Sequence, residues 1–188
     1  MHIQDMNLKF KEKLKESGLS IQMKSLEACD FFAIEEKDDL VIGAAGLGGL
    51  FHVSGIQILE KFRGKGLGKK LQNELILEAK KRNFSFLTVF NDPRNLTSEK
   101  LHNSLGYETI FRIHYSNEKV NDVKILIFKK RGLFVKKWLQ FFNSKTGIFF
   151  LGIMIKYSRK LFPKFILYNE ENMPEPSIIN MVKKFEKI

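Results

Sequence analysis

The stretch Ile58–Gln72, ILEKFRGKGLGKKLQ, decides how the chain is read. An apolar run reaches Arg63, glycines alternate at Gly64, Gly66 and Gly68, and a lysine-rich segment follows. From there Leu67, Leu71, Leu75 and Ala79 recur at every fourth position, with Lys69, Lys70, Asn73, Lys80 and Lys81 on other faces, so the segment is an amphipathic helix. Strand, glycine turn and helix start together make a place for an anion. The first turn of a helix has unpaired N–H groups and a partial positive charge. Glycines take φ values that other residues resist, so successive amides can converge on phosphate oxygens. Lys65, Lys69 and Lys70 add charge around them. The spacing excludes two phosphate motifs. G-x-G-x-x-G fails because Lys69 stands where the third glycine belongs, and no pair of glycines has the P-loop spacing with Lys and Ser/Thr behind it. Arg63, Gly66 and Gly68 do match R-x-x-G-x-G. Taken alone, that match is equally compatible with a tight strand-to-helix turn carrying solvated lysines.

The pattern on either side is that of an α/β domain. Residues 7–16 place Leu8, Phe10 and Leu14 among charges, a short helix ended at Gly18. FFAIEE and LVIGAAGL flank KDD as a β-hairpin, and the glycines at 46, 48 and 49 read as a loop before a strand over 52–60. SFLTVF (85–90) is a strand, NDPRN a turn, and Asn95 caps a helix over 96–104 closed by Gly106. YETIFRIHYS and DVKILIFKK form a final strand pair. The segment 132–188 is aromatic and basic, helical as far as Pro163, irregular around NMPEPS, and helical again near 178–186.

Composition narrows the class further. The chain has 188 residues, enough for one domain with a real core, and a formal charge of +11 that favours anionic partners. No Asp or Glu occurs from Val123 to Asn169. The single cysteine, Cys29, excludes an internal disulfide and fits a reducing compartment; it reads as a small buried hydrophobe. The charged N-terminus has no signal-peptide pattern, and TGIFFLGIMI (146–155) is about half the length that crosses a bilayer. A cytoplasmic protein is expected. No cluster with metal-ligand spacing is present, so no metal is expected.

A second motif follows the next strand: NLTSEKLHNSLGYE, Asn95–Glu108. The two together resemble the GNAT-type N-acetyltransferases, in which R/Q-x-x-G-x-G/A precedes a strand and then N-x-x-[AS]-x-x-L-Y-x-x-L-G-[FY]. Asn95, Ser98, Leu101, Leu105, Gly106 and Tyr107 match the second pattern. The resemblance covers about residues 31–130, including element order. It departs in three places. His102 replaces the usual Tyr, Glu60 replaces a frequent Pro, and the short N-terminus leaves the family's first strand missing or replaced.

The resemblance implies a mixed, mostly antiparallel central sheet with splayed parallel strands, flanked by helices and followed by a helical C-terminal extension. Residues 1–130 would form this domain and 131–188 the basic, aromatic extension. It implies acetyl-CoA as acyl donor, lying between the splayed strands, and a primary amine of a small molecule or peptide as acceptor. An amide near Ile58, Leu59 or Glu60 would polarise the thioester, and the backbone of Arg63, Gly64, Lys65, Gly66, Leu67, Gly68 and Lys69 would hold the diphosphate. Asn95, Ser98 and His102 would approach from the facing helix. His102, with a reference pKa of about 6.5, would protonate the leaving thiolate or merely pack. The base would be His52, eleven residues before Arg63, or, ranked lower, Glu60. His114 and Tyr115 alternate faces of one strand, and His2 reads as a tail residue.

The extension admits several roles: cover for the core and acceptor pocket, a homodimer interface, or contact with an anionic membrane surface. Nothing in it matches a nucleic-acid reading module, and nucleic acid is not an expected partner. The expected activity is acyl transfer to an amine. The alternative is an acyl-CoA-binding module with impaired turnover that serves as a partner or membrane-surface adaptor.

Overall fold

The computed structural model describes residues 1–19, 29–49, 51–114, 120–147, 149–150 and 153. In chain order these form β1 (His2–Asp5), α1 (Leu8–Glu16), β2 (Cys29–Lys37), β3 (Leu40–Gly48), β4 (Val53–Ile58), α2 (Leu67–Lys81), β5 (Phe86–Asn91), α3 (Leu96–Ser104), β6 (Glu108–His114), β7 (Val120–Ile127) and α4 (Lys130–Phe142). The strands make one seven-stranded sheet in the order β1-β2-β3-β4-β5-β7-β6. Every pair is antiparallel except β4 and β5.

Alternation along the strands sorts the core into two layers. On one face Phe31, Ala33, Ala45, Leu47, Leu87 and Val89 meet Leu71, Leu75 and Ala79 of α2. The four-residue repeat seen in the sequence is therefore the buried stripe of that helix. On the other face Phe10 and Leu14 of α1 pack on Phe32, Ile34 and Ala44. Leu8, grouped with them by spacing, is instead exposed. Asn7 caps α1 through its side chain, and Gly18 takes a left-handed φ just beyond it. The β2–β3 hairpin turns through Asp38 and Asp39, both at positive φ, the conformation that suits a two-residue hairpin loop.

Three expectations change. The N-terminus does supply a strand: β1 pairs with β2 from His2↔Ile34 to Asp5↔Phe31, and His2 opens it. Four residues of mixed polarity, HIQD, carry too short an alternation to announce a strand. Gly46 and Gly48 lie inside β3 and not in a loop. A Cβ on Gly46 would stand 2.5 Å from Phe32 Cε1 and 2.9 Å from Cys29 Sγ, so this glycine makes room for a core ring. The strand expected over 52–60 runs only over Val53–Ile58, because His52 has φ +49° and Glu60–Phe62 form a 3-10 turn. The helix after Arg131 is present as α4; the residues beyond 153, with the irregular stretch and the last helix expected there, lie outside the described residues.

Cys29 is half-buried, and burial, helped by Asp30, pushes its thiol up to about 11, which is the behaviour of a packed side chain and not of a nucleophile. The glycine at 46 gives a direct test of the packing. Gly46→Ala is expected to cost about 1–3 kcal/mol in urea unfolding through overpacking. Gly55→Ala, on the neighbouring strand with open space at its Cβ, is expected to stay within about 0.5 kcal/mol of the parent.

Candidate functional site

The site is built around a fork in the sheet. β4 is in register with β3 from Val53 to Ile58, and β5 with β7 from Phe86 to Asn91. Between β4 and β5 there is one pair, Val53↔Thr88. The closed end is clamped: Thr88 N–H donates to the His52 carbonyl at 3.0 Å, Thr88 Oγ1 to the Phe51 carbonyl at 2.8 Å, and Ser54 Oγ to the Thr88 carbonyl at 3.2 Å. Beyond that point the strands part. Ladder alternation sends the backbone groups of Val53, Gly55 and Gln57 to β3, so those of Ile56 and Ile58 face the gap. By the same alternation Phe90 faces it from β5.

β4 leads directly into the glycine loop. Gly64 has φ +77° and Gly66 φ +74°, conformations that tolerate glycine and strain other residues. Gly66 stands at the cap position of α2 with no side chain to satisfy the helix start. Among the described residues the amides of Gly64, Lys65, Gly66, Leu67, Gly68 and Lys69 donate to no protein acceptor. Gly68 lies close to Ile56, Ile58 and Leu101, where a Cβ would make contact at 3.4–3.7 Å. Lys65 and Lys69 are exposed, and the ammonium groups of Lys37, Lys61 and Lys65 gather round the Phe62 ring. Six free amides at the positive end of a helix, ringed by lysines, fit a diphosphate.

Two residues expected in this set act differently. Leu59 is a correction: its N–H donates to the Ile42 carbonyl and its own carbonyl accepts from Phe62, so neither group is available to a ligand. The strand ends at Ile58, two residues before the end expected at residue 60. Arg63 turns its Nε back onto the Ile58 carbonyl at 3.1 Å and thereby ties the loop to the end of β4. That leaves the Ile58 N–H as the outermost free amide of the strand.

On the α2 side of the fork the floor is polar and buried. Ser54 Oγ lies 3.4 Å from Tyr107 Oη, and the Tyr107 ring meets the edge of His102 at 5.4 Å between centroids. Burial pushes the Tyr107 hydroxyl up to about 12, so it stays protonated. His102 is 2% exposed, its Nδ1 is 3.3 Å from Ser98 Oγ, and its Nε2 is buried without a partner. Burial is also the main cause that holds its pKa below 6.5, with Lys124 acting in the same direction. Gln72, one turn along α2 from Gly68, is fully buried with both amide atoms unpartnered. Asn95 caps α3 by accepting from Ser98 N–H at 3.1 Å.

The two candidate bases lie at opposite ends of β4. The His52 backbone belongs to the closed end of the fork, while its ring packs on Phe84 and Phe86 at 4.6 and 5.0 Å with Nδ1 buried and unpartnered. Desolvation lowers its pKa, with Asp30 opposing. Glu60 is exposed on the 3-10 turn and forms no ion pair among the described residues; the bridge to Lys61 or Arg63 that its position suggested is not made. His114 ends β6, the edge strand two places from the fork, and Tyr115 lies outside the described residues.

One feature of the site escaped the motif reading. Lys124 on β7 is 1% exposed and donates to Glu99 at 2.6 Å and Asn103 at 2.8 Å. Glu99 also accepts from Asn91 at 2.6 Å. This network fastens α3, and with it Ser98 and His102, to the sheet. The available signal was alternation: Asp122 and Lys124 interrupt an apolar strand at positions that share one face.

The Acetyltransferase (GNAT) family matches residues 2–107. No curated protein sequence matches the chain. Among solved structures, yncA from Salmonella typhimurium, determined with its cofactor acetyl-CoA, is 18% identical, with a TM-score of 0.53 over 69% of this chain and 95% of that one. The ribosomal-protein-S18-alanine N-acetyltransferase of Escherichia coli is 14% identical, with a TM-score of 0.55 over 68% and 94%. An IAA acetyltransferase from Bacillus cereus is 16% identical, with a TM-score of 0.55 over 68% and 99%. These likenesses extend to the fold.

Pairing with the buried Lys124 ammonium has a measurable consequence. The Lys124 ammonium, chiefly, and the Asn103 and Asn91 amides hold the Glu99 carboxyl below its ordinary value of 4.5 against the opposing effect of burial. A depressed carboxylate contributes stability that is present above about pH 4.5 and lost as pH falls through its folded-state value. Glu99→Gln leaves a buried ammonium without its counter-charge and is expected to cost about 3 kcal/mol at pH 7. Its stability is also expected to fall less steeply than the parent's below pH 4.5, measured by urea unfolding across pH.

Proposed function

The chain belongs to the acetyltransferase (GNAT) family, and we propose that it moves an acetyl group from acetyl-CoA to the primary amine of a small molecule or peptide by direct attack. The observation that carries this reading is the continuity of the fork with the loop: free strand amides at Ile56 and Ile58 lead into six free amides at the start of α2. An extended arm ending in a diphosphate is the ligand that such an edge and cradle suit.

In the reaction a neutral amine attacks the thioester carbon. The C–N bond forms, the C–S bond breaks, and a proton leaves nitrogen while one is taken up by sulfur. The residues contribute position and charge. The amides of Gly64–Lys69 and the dipole of α2 hold the diphosphate, and the Ile56 and Ile58 N–H groups orient the arm. One of these strand amides stabilises the negative oxygen that develops in the transition state. His52, neutral at pH 7 because burial lowers its pKa, takes the amine proton through water; Glu60, exposed at the open end, ranks below it. His102 serves the leaving sulfur: burial keeps it neutral at rest, a thiolate forming beside it favours uptake of a proton from water, and the imidazolium passes that proton to sulfur and returns to neutral. Asn95 and Ser98 set the end of α3 facing the ligand.

The burial of His102 also favours a second reading. A ring that is 2% exposed and neutral is a poor proton donor, which suits an acyl-CoA-binding module with impaired turnover acting as an adaptor. Calorimetric titration with acetyl-CoA and a turnover assay on an amine panel separate the two. The acyltransferase reading expects saturable binding, at least about 100-fold weaker in Gly66→Glu, where a carboxylate enters an anion site at a left-handed position. It also expects His102→Ala to lower kcat by about 10²-fold with unchanged acetyl-CoA affinity. Binding without turnover across the panel gives the module reading, and no binding at millimolar donor contradicts both. In pH profiles, the limb set by protonation of a base below pH 6.5 is expected to disappear in His52→Gln.

A further inference from the structure

Nothing in acyl transfer calls for the outer face of α4. One side of this helix lies against the sheet. Gly132 is so close to β5 that a Cβ there would stand 2.5 Å from the Ser85 carbonyl and 3.0 Å from Phe86 Cβ, and Lys136 pairs with Glu108 on β6. The other side turns Phe134, Trp138 and Phe141 outward at i, i+4 and i+7, with Phe134 71% and Trp138 48% exposed. Leu133 extends the patch on the helix. Ring contacts continue it: Trp138 stands edge-on to Phe142 at 4.5 Å, and Phe141 leads through Phe150 at 6.4 Å to Phe149, both exposed. Lys130, Arg131 and Lys137 are exposed on the same helix and form no ion pair among the described residues.

We propose that this face of α4 docks on the surface of an anionic lipid bilayer. Bulky aromatic side chains rimmed by unpaired cations enter the headgroup region of such a surface, where the rings leave water and the cations meet lipid phosphates. The sequence around α4 leaves little to oppose that charge, since no carboxylate occurs from Val123 to Asn169. The same charge disfavours self-association, because a two-fold contact would set Lys130, Arg131 and Lys137 against their own copies. No helix among the described residues is long and apolar enough to cross a membrane, and the 13 residues of α4 fall short of the roughly 20 that span a bilayer, so this helix would lie on the surface. α4 begins beside Ser85 and Phe86, the end of β5 away from the glycine loop, which leaves the diphosphate cradle clear of the lipid.

Trp138 is the only tryptophan of the chain and reports on this face directly. With the full chain and vesicles of phosphatidylglycerol and phosphatidylcholine, its emission is expected to shift to the blue and to become protected from an aqueous quencher. Binding is expected to be at least roughly tenfold weaker to phosphatidylcholine alone and to fall with added salt. Phe134→Ser with Phe141→Ser, and separately Lys130→Glu with Lys137→Glu, alter exposed side chains and are expected to lose the shift while keeping the parent's thermal unfolding and acetyl-CoA titration. The proposal is overturned by no shift on anionic vesicles, by equal shifts on both vesicle types, or by a quencher-protected Trp138 and doubled mass in the absence of lipid. A nucleic-acid oligonucleotide that binds more tightly than the vesicles overturns it as well.

Discussion

The sheet is two antiparallel halves joined at a single pair, Val53↔Thr88, and the rest of the site follows from that junction. β4 is in register with β3 over six residues and β5 with β7 over another six, so each strand is fully committed on its outer side. Antiparallel ladders are slightly more stable per residue than parallel ones, and sheet twist rotates neighbouring strands apart as they lengthen. With hydroxyls of Ser54 and Thr88 closing one end, the strands diverge toward the other and leave backbone donors and acceptors facing a gap. Ordinary interiors do not tolerate such groups unpaired, and a ligand with the backbone-like pattern of an extended amide chain satisfies them. α2, packed across β2, β3 and β4, holds its half rigid while the gap stays open.

Charge and burial divide the work around this gap. At its open end the glycine loop presents free amides and exposed lysines, which attract an anion without needing a specific side chain. At its floor the polar groups are few and desolvated. Tyr107 stays protonated, His102 stays neutral, and the Nε2 of His102 and the amide of Gln72 lack partners. The Lys124–Glu99 pair sets a buried ammonium against a partly exposed carboxylate, a pair whose net contribution to stability is small. Its effect is on position, since it fixes the helix that presents His102.

The sequence made the loop, the helix behind it and the capped α3 legible because each obeys a local rule: glycine at positive φ, a four-residue apolar repeat, and Asn at the cap. Membership in the family was readable from the same residues. The parts that were hidden depend on partners distant in sequence. β1 is a strand only because β2 offers it an edge, and Gly46 reads as a loop glycine until the Phe32 ring is seen opposite it. His52 looks like the first residue of a strand, yet a left-handed turn and two phenylalanine rings decide its environment. Leu59 looks like strand and keeps one strand bond, from its amide to Ile42, yet its carbonyl turns to accept from Phe62 and opens the 3-10 turn. Lys124 appears as one more cation in a basic chain, and its burial against Glu99 needed the β7–α3 contact to be visible.

The free amides of β4 and of the glycine loop are the surface proposed to bind coenzyme A. Amide hydrogen exchange, resolved at Ile56, Ile58 and Gly64 through Lys69 with and without saturating coenzyme A, tests it at the atoms concerned. Slowed exchange concentrated at those amides, with β1 and β6 unaffected, is the expected result. Coenzyme A that binds while those amides exchange at their free rates would contradict the account, because the ligand would then lie somewhere other than the fork.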